Sequence, residues 1–165
     1  MHFSLQTLYN HLMIPKPHYI VSLCMAGFAC RYNGTSKFNQ IVAKLIDEGR
    51  AFPLCPELLG GLPTPREAAE CKYVDGELKV LTKSGEDVTD AFERGAKAVL
   101  NFAKEHHIKK AILYHNSPSC GIRTYDGTFS GTLTDYPGIA AGLLQKHGIE
   151  VISSDDLLKL EADLL

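Results

Sequence analysis

Three of the five cysteines stand where thiol chemistry could be done at a shared centre. Cys24, Cys55 and Cys120 each follow a short apolar segment, and each precedes a Gly or Pro within three residues. The backbone around each thiol is therefore expected to turn. A single buried cysteine is often inert. Three in equivalent positions favour a shared site, and zinc, an iron–sulfur cluster or a metal-free nucleophile are all compatible with them.

Polar residues beside these cysteines extend the candidate site. Glu57 lies two residues after Cys55. Its carboxylate could act as a general acid or base at the shared site, or it could be a solvated loop carboxylate or a helix cap. Ser117 lies three residues before Cys120 and could orient water or substrate, or only shape a turn. Arg66 is expected in a loop on the same side, where a guanidinium binds a phosphate or a base edge or stays solvated.

A polar, glycine-rich segment at residues 125–131 is unusual inside a compact domain, and such loops are often functional. Its hydroxyls and amides could contact a polar heterocycle, so Asp126 and Ser130 are predicted substrate contacts, together with Ser22 and Arg66. Cys30 could be a fourth ligand, a spare thiol or loop packing, and a structural role is favoured.

The segments that must position these residues alternate between strand and helix patterns. Predicted strands cover residues 19–23, 51–54, 111–114 and 149–152. Two predicted helices cover residues 38–48 and 139–146. A third, long helix is predicted to begin at residues 87–89, and a last helix to end near Ala162. Asp75-Gly76 stands between residues of alternating polarity, which predicts a hairpin within residues 73–80. Residues 58–65 and 115–137 are predicted loops.

This alternation predicts an α/β fold: a single-domain, Rossmann-like, mostly parallel sheet flanked by helices, with a small hairpin insertion. Ligands of such sheets bind beyond the carboxyl ends of the strands. Cys24, Cys55 and Cys120 all lie after predicted strands, so their thiols are expected to converge at that edge.

Composition limits the classes of function. The chain has 165 residues, 45% of them hydrophobic and 22% charged, with a net charge of −2. These values indicate a globular domain with no basic excess for nucleic acid, and no apolar run suits a membrane span. Residues 1–17 lack a signal-peptide pattern and are expected to be an N-terminal extension, with the domain at 18–165. A reducing, cytoplasmic location and a monomer or homodimer are expected.

Several motifs together resemble the DUF523 family, over about residues 19–155. The motifs that carry the resemblance are Ser22-x-Cys24-x-x-Gly27-x-x-Cys30-Arg31-Tyr32-Asn33-Gly34, Cys55-Pro56-Glu57-x-x-Gly60-Gly61, Gly85-x-Asp87-Val88-Thr89, Ser117-Pro118-Ser119-Cys120-Gly121 and Tyr125-Asp126-Gly127-Thr128-Phe129-Ser130-Gly131. The family includes the thiouracil desulfidases.

The resemblance implies a [4Fe-4S] cluster held by Cys24, Cys55 and Cys120, with one iron not ligated by protein. It further implies that Glu57 is the acid/base group and that Ser117 is an assisting hydroxyl. The reaction expected from it is a non-redox desulfuration that replaces C=S by C=O and releases sulfide. A soft thiocarbonyl sulfur suits an open iron, which makes this chemistry physically reasonable.

The expected substrate is a small thiolated pyrimidine base or nucleotide, such as 2-thiouracil, 4-thiouracil or 4-thiouridine monophosphate. Such small molecules are favoured over RNA because the chain lacks a basic excess. Two other readings stay open at this point. One is a non-catalytic metal- or nucleotide-binding module of the same fold, and the other is a cysteine-nucleophile enzyme without a metal.

Overall fold

The structure is a computed structural model that describes residues 19–159. The strands in this range are β1 Tyr19–Ser22, β2 Ala51–Leu54, β3 Ala69–Val74, β4 Glu77–Thr82, β5 Lys110–Leu113 and β6 Glu150–Ser153. The α-helices are α1 Gln40–Asp47, α2 Pro56–Leu59, α3 Thr89–Glu105 and α4 Ile139–Lys146. Short 3-10 turns follow β1 and β6, at Leu23–Ala26 and Ser154–Asp156.

Four of these strands form a parallel sheet in the order β2-β1-β5-β6. Tyr19 of β1 lies opposite Ala51 of β2 on one side and Lys110 of β5 on the other. The chain therefore passes from β1 to β2 on one side and later adds β5 and β6 on the other. The strand order reverses at β1, and parallel sheets bind ligands beyond the strand ends at such a reversal.

Successive residues of a strand point to opposite faces of the sheet. Both faces of this sheet carry apolar residues, and helices cover both. Val21 and Ile112 pack with Leu45 of α1 in one apolar layer. Ile20 and Leu113 lie in the other layer, against α3 and α4. The predicted α/β class, with a mostly parallel sheet flanked by helices and a small hairpin, is confirmed.

The hairpin consists of β3 and β4, joined at Asp75-Gly76 as the sequence predicts. Both turn residues have positive φ, 52° and 82°, which suits the twist of a two-residue hairpin loop. Cys71 and Val80 of the hairpin pack against Phe92 of α3. This packing places the hairpin beside the parallel sheet, at its carboxyl edge.

Some element boundaries differ from the predicted ones. α1 begins at Gln40, two residues later than predicted, because the Asn39 side chain accepts hydrogen bonds from the amides of Ile41 and Val42, at 2.9 and 3.2 Å, and caps the helix. Residues 58–59, predicted as loop, end the single helical turn α2, which Pro56 opens at a position that favours proline.

Parts of the prediction fall outside the described range. The expected N-terminal extension, residues 1–17, lies there, and so does the predicted end of the last helix at Ala162; residues 157–159 are helical. Within residues 19–159 no helix is both long enough and apolar enough to span a membrane.

Helices α2 and α3 meet through two glycines, which fixes the position of the Cys55-Pro56-Glu57 segment. A Cβ at Gly95 would overlap the carbonyl oxygen of Pro56, and one at Gly60 would overlap that of Ala91. The obstructing atoms belong to backbones, so neither glycine can gain a side chain unless the helices separate.

The variant Gly95→Ala is therefore expected to destabilise the protein by about 1–3 kcal/mol, since overpacking exceeds the roughly 1 kcal/mol gained in helix propensity. Thermal unfolding measures this, with Glu93→Ala on the exposed face of α3 as the control. An unchanged melting temperature for Gly95→Ala would contradict the close helix contact.

Candidate active site

A cavity of about 590 Å³ opens at the carboxyl edge of the parallel sheet, beside the reversal in strand order. One side of it is formed by residues that follow β1, β2 and β5. The other side is formed by the hairpin and by residues 125 and 129. Its volume lies within the roughly 300–1,000 Å³ of small-molecule sites.

Four cysteines line this cavity: Cys24, Cys30, Cys55 and Cys120. All are free thiols, and all but Cys55 are buried. The structure thus brings the three predicted cysteines together and adds Cys30, for which the sequence favoured a structural role. Cys71 is not among the lining residues, and its thiol donates a hydrogen bond to the Pro118 carbonyl at 3.4 Å.

Three of the thiols that line the cavity have raised pKa values, which favours their protonated form. Hydrogen bonding to the Cys24 thiol, together with burial, raises the pKa of Cys30 to about 11. Hydrogen bonding to Cys55 acts in the opposite direction. Hydrogen bonding with Cys30, together with burial, raises the pKa of Cys55. Burial raises the pKa of Cys120 to about 12. Thiols of this kind are weak nucleophiles at neutral pH and become thiolates when a bound metal replaces their protons.

The lining of the cavity is rich in thiols. Within residues 19–159 no three or more His, Cys, Asp or Glu side chains are close enough to bind one metal ion together. In an iron–sulfur cluster the cysteines each bind a different iron. The thiol-rich lining fits such a group, since iron–sulfur clusters take thiolate ligands.

The surroundings of Cys120 also fit a thiolate. The hydroxyls of Ser22 and Ser119 lie beside its sulfur, and both act against the rise in pKa that burial causes. Ser119 Oγ is a buried atom without a hydrogen-bond partner among the described residues. A buried hydroxyl left unpaired is costly, and a thiolate at Cys120 would supply the acceptor that it lacks.

Glu57 and Arg66 form an ion pair in the cavity wall. Nε of Arg66 donates a hydrogen bond to Oε2 of Glu57 at 2.7 Å, and Nη2 of Arg66 lies 2.6 Å from the same oxygen. The two side chains are only 14% and 8% exposed, respectively. Burial raises the pKa of Glu57, while Arg66 opposes the rise. Arg66 also donates to the carbonyl of Cys30 at 3.0 Å, so it joins the carboxylate to a cysteine loop.

Ser117 and Ser22 line the cavity and also fix its backbone. The Ser117 hydroxyl accepts from the amides of Ser119 and Cys120, both at 3.1 Å, and so shapes the turn that presents Cys120. The Ser22 hydroxyl accepts from the Tyr114 amide at 2.9 Å and thereby joins the ends of β1 and β5.

Two predicted substrate contacts are not brought to the cavity. The Asp126 carboxylate accepts hydrogen bonds from the amide and the hydroxyl of Thr128. The Thr128 hydroxyl lies 2.7 Å from the hydroxyl of Ser130. Neither Asp126 nor Ser130 is among the lining residues, whereas Tyr125 and Phe129 are. The physical reason is that these polar side chains satisfy one another within the loop. Sequence reasoning missed the two aromatic residues because it weighted polarity in this segment.

Taken together, the fold and the cavity define a parallel α/β protein with a thiol-lined ligand site beyond the ends of β1, β2 and β5. A family model described as 2-thiouracil desulfurase matches residues 19–156. The chain belongs to this family.

Relatives of known sequence or structure cover most of the chain. The uncharacterised protein YbbK of Bacillus subtilis (strain 168) is 45% identical over 145 residues, which cover 84% of this chain and 96% of that protein. A solved structure, the [4Fe-4S]-dependent thiouracil desulfidase TudS (DUF523), is 44% identical with a TM-score of 0.80 and covers 90% of this chain and 98% of its own. The resemblance to DUF523 desulfidases predicted from the sequence is confirmed.

Proposed function

We propose that this protein is an iron–sulfur-dependent desulfidase that replaces the C=S group of a small thiolated pyrimidine by C=O and releases sulfide. One observation carries the proposal: thiols from separate strand-end loops share a single cavity with a buried carboxylate and a hydroxyl. The family and the solved relative support the same assignment.

Cys24, Cys55 and Cys120 are the proposed cluster ligands. They come from three different loops at one edge of a rigid sheet, so their positions are set by the fold. When bound, a [4Fe-4S] cluster with one iron not ligated by protein supplies a Lewis-acidic position for a soft thiocarbonyl sulfur.

Glu57 is the proposed acid/base group. Exchange of sulfur for oxygen consumes one water: the water oxygen bonds to the ring carbon, the C–S bond breaks, and sulfur leaves as sulfide without a change in oxidation state. Both Arg66 contacts go to Oε2, so Oε1 is the carboxylate oxygen free to take a proton from the water and pass it to the departing sulfur.

Ser117 and Arg66 support this chemistry in different ways. The Ser117 oxygen accepts two amide hydrogens, which leaves its own hydrogen available to donate to the substrate or to water. The guanidinium of Arg66 is engaged by Glu57, by the Cys30 carbonyl, and by the carbonyl of Pro63 and hydroxyl of Thr64. Arg66 is therefore proposed to hold the carboxylate in place, with any substrate contact secondary.

The test is purification and assay without oxygen. We expect brown protein with about four irons and matching inorganic sulfide per chain. Incubation with 4-thiouracil, and separately with 2-thiouracil, should convert the thiocarbonyl absorbance into that of uracil and release sulfide in equal amount. Heat-unfolded protein with the same iron content is the control for non-enzymatic sulfide release.

Other outcomes would replace the proposal. Bound metal or nucleotide with no turnover of any thiolated pyrimidine would indicate a binding module. Turnover in metal-free protein, abolished by alkylation of one thiol, would indicate a cysteine nucleophile.

A further inference from the structure

Residues 125–131 form a loop that contributes two aromatic residues to the cavity lining, while its polar residues lie outside that lining. Tyr125 and Phe129 line the cavity, and Phe129 is half-buried. Asp126, Thr128 and Ser130 hydrogen-bond with one another. The polar residues therefore stabilise the loop's own conformation, and the two loop residues that line the cavity are aromatic.

Glu70 of β3 fastens this loop to the hairpin. Its Oε2 accepts the amide hydrogens of Gly127 at 3.0 Å and of Phe129 at 2.9 Å. A charged carboxylate that accepts hydrogen bonds from two amides binds them more strongly than a neutral acceptor does. The loop also lies directly on the strand, since a Cβ at Gly127 would come within 2.7 Å of Lys72 Cβ. The loop position is thus set by β3.

Phe129 adopts a backbone conformation that a bulky side chain rarely takes. Its φ is 57°, in the left-handed region. Such a conformation persists only where the surroundings enforce it, and residues of this kind cluster at functional sites. Here the bond from the Phe129 amide to Glu70 enforces it, at a residue that lines the cavity.

We propose that Phe129 is the aromatic surface against which the substrate's pyrimidine ring stacks, and that Glu70 is the positioning residue that holds Phe129 there. The identity of the ligand rests on the proposed function. A flat, polar heterocycle gains little from an irregular apolar wall, whereas a fixed aromatic face offers it stacking that tolerates differences in ring substituents. Glu70 is itself a lining residue of the cavity, so its role through the two amides must be separated from direct contact with the substrate.

Binding of uracil, the desulfurated base, tests the stacking separately from catalysis. In protein purified without oxygen, Phe129→Leu keeps an apolar side chain but removes the aromatic face. We expect roughly tenfold weaker uracil binding by calorimetry, within the range of one base–aromatic contact. Iron content should be unchanged. Phe38→Leu, at an exposed phenylalanine outside the cavity lining, is the matched control and should bind uracil normally.

Two substitutions at Glu70 separate positioning from direct contact. Glu70→Gln keeps an oxygen that can accept both amides and should stay within about threefold of the unaltered protein. Glu70→Ala frees the loop and should weaken uracil binding as much as Phe129→Leu does, raising KM for 4-thiouracil more than it lowers kcat. Equal losses in Glu70→Gln and Glu70→Ala would show that the charge acts directly and would overturn the positioning role.

The two proposals fail in distinguishable ways. Normal uracil binding by Phe129→Leu, or no uracil binding by the unaltered protein, would overturn the stacking proposal, whatever the rate of sulfide release. Uracil binding that depends on Phe129, in a protein that desulfurates no thiolated pyrimidine, would retain the stacking and overturn the proposed function.

Discussion

Alanine at Cys24, Cys55 or Cys120 is expected to leave a protein that holds almost no iron when purified without oxygen and releases no measurable sulfide from 4-thiouracil. Loss of an outer-shell partner of a metal ligand costs about 10- to 100-fold in affinity or activity. Loss of a ligand itself should therefore exceed about 100-fold. Iron and sulfide per chain, the visible spectrum and the initial rate together measure the effect.

Cys71→Ala is the matched control for these variants. Cys71 is a buried cysteine like Cys24 and Cys120, and burial raises its pKa to about 12. Its thiol lies outside the cavity lining, so its removal should leave iron content and rate near normal. A cysteine-to-alanine series in which all five variants lose iron equally would indicate general misfolding and would contradict a specific ligand set.

Cys30→Ala decides whether three or four cysteines hold the proposed cluster. The Cys30 thiol lies beside those of Cys24 and Cys55 in the same cavity lining, so proximity alone would admit it as a ligand. If three thiolates suffice, this variant keeps its iron and most of its activity. Complete loss of iron would mean a fourth protein ligand, which would leave no open iron for a substrate and contradict the proposed chemistry.

The convergence of Cys24, Cys55 and Cys120 could be predicted because it depends on local patterns and one topological rule. Short apolar segments separated by helical periodicity require a parallel sheet, and residues after parallel strands meet at one edge. The order of the strands was not needed for that inference. Any order that keeps β1, β2 and β5 close would bring these loops together.

The parts that sequence reasoning did not reach depend on irregular backbone. Cys30 reaches the cavity through a loop without periodicity. Phe129 lines the cavity from a loop in which glycines on both sides of it, at 127 and 131, also have positive φ, so simple alternation does not predict its position. The pairing of Glu57 with Arg66 links a residue of α2 to a loop residue nine positions later, and no spacing rule applies to such a pair.

The variant Glu57→Gln is expected to lower kcat by roughly 10²- to 10⁴-fold, the usual contribution of a positioned acid/base group. Glutamine has nearly the same shape and retains an oxygen that can accept from Arg66, so the cavity wall should persist. It cannot take a proton from water at neutral pH. Iron content and uracil binding should therefore stay normal while sulfide release almost stops, as measured by steady-state kinetics on protein with a full complement of iron.

The comparison variants separate proton transfer from support of the site. Glu93→Gln, on the exposed face of α3, makes the same chemical change away from the cavity and should leave kcat unaltered. Arg66→Lys retains a positive charge but loses the simultaneous contacts with Glu57 and the Cys30 carbonyl, so a partial loss is expected. If Glu57→Gln loses iron in parallel with activity, Glu57 supports the cysteine loops instead. If it retains full kcat, the proton must be handled by another group.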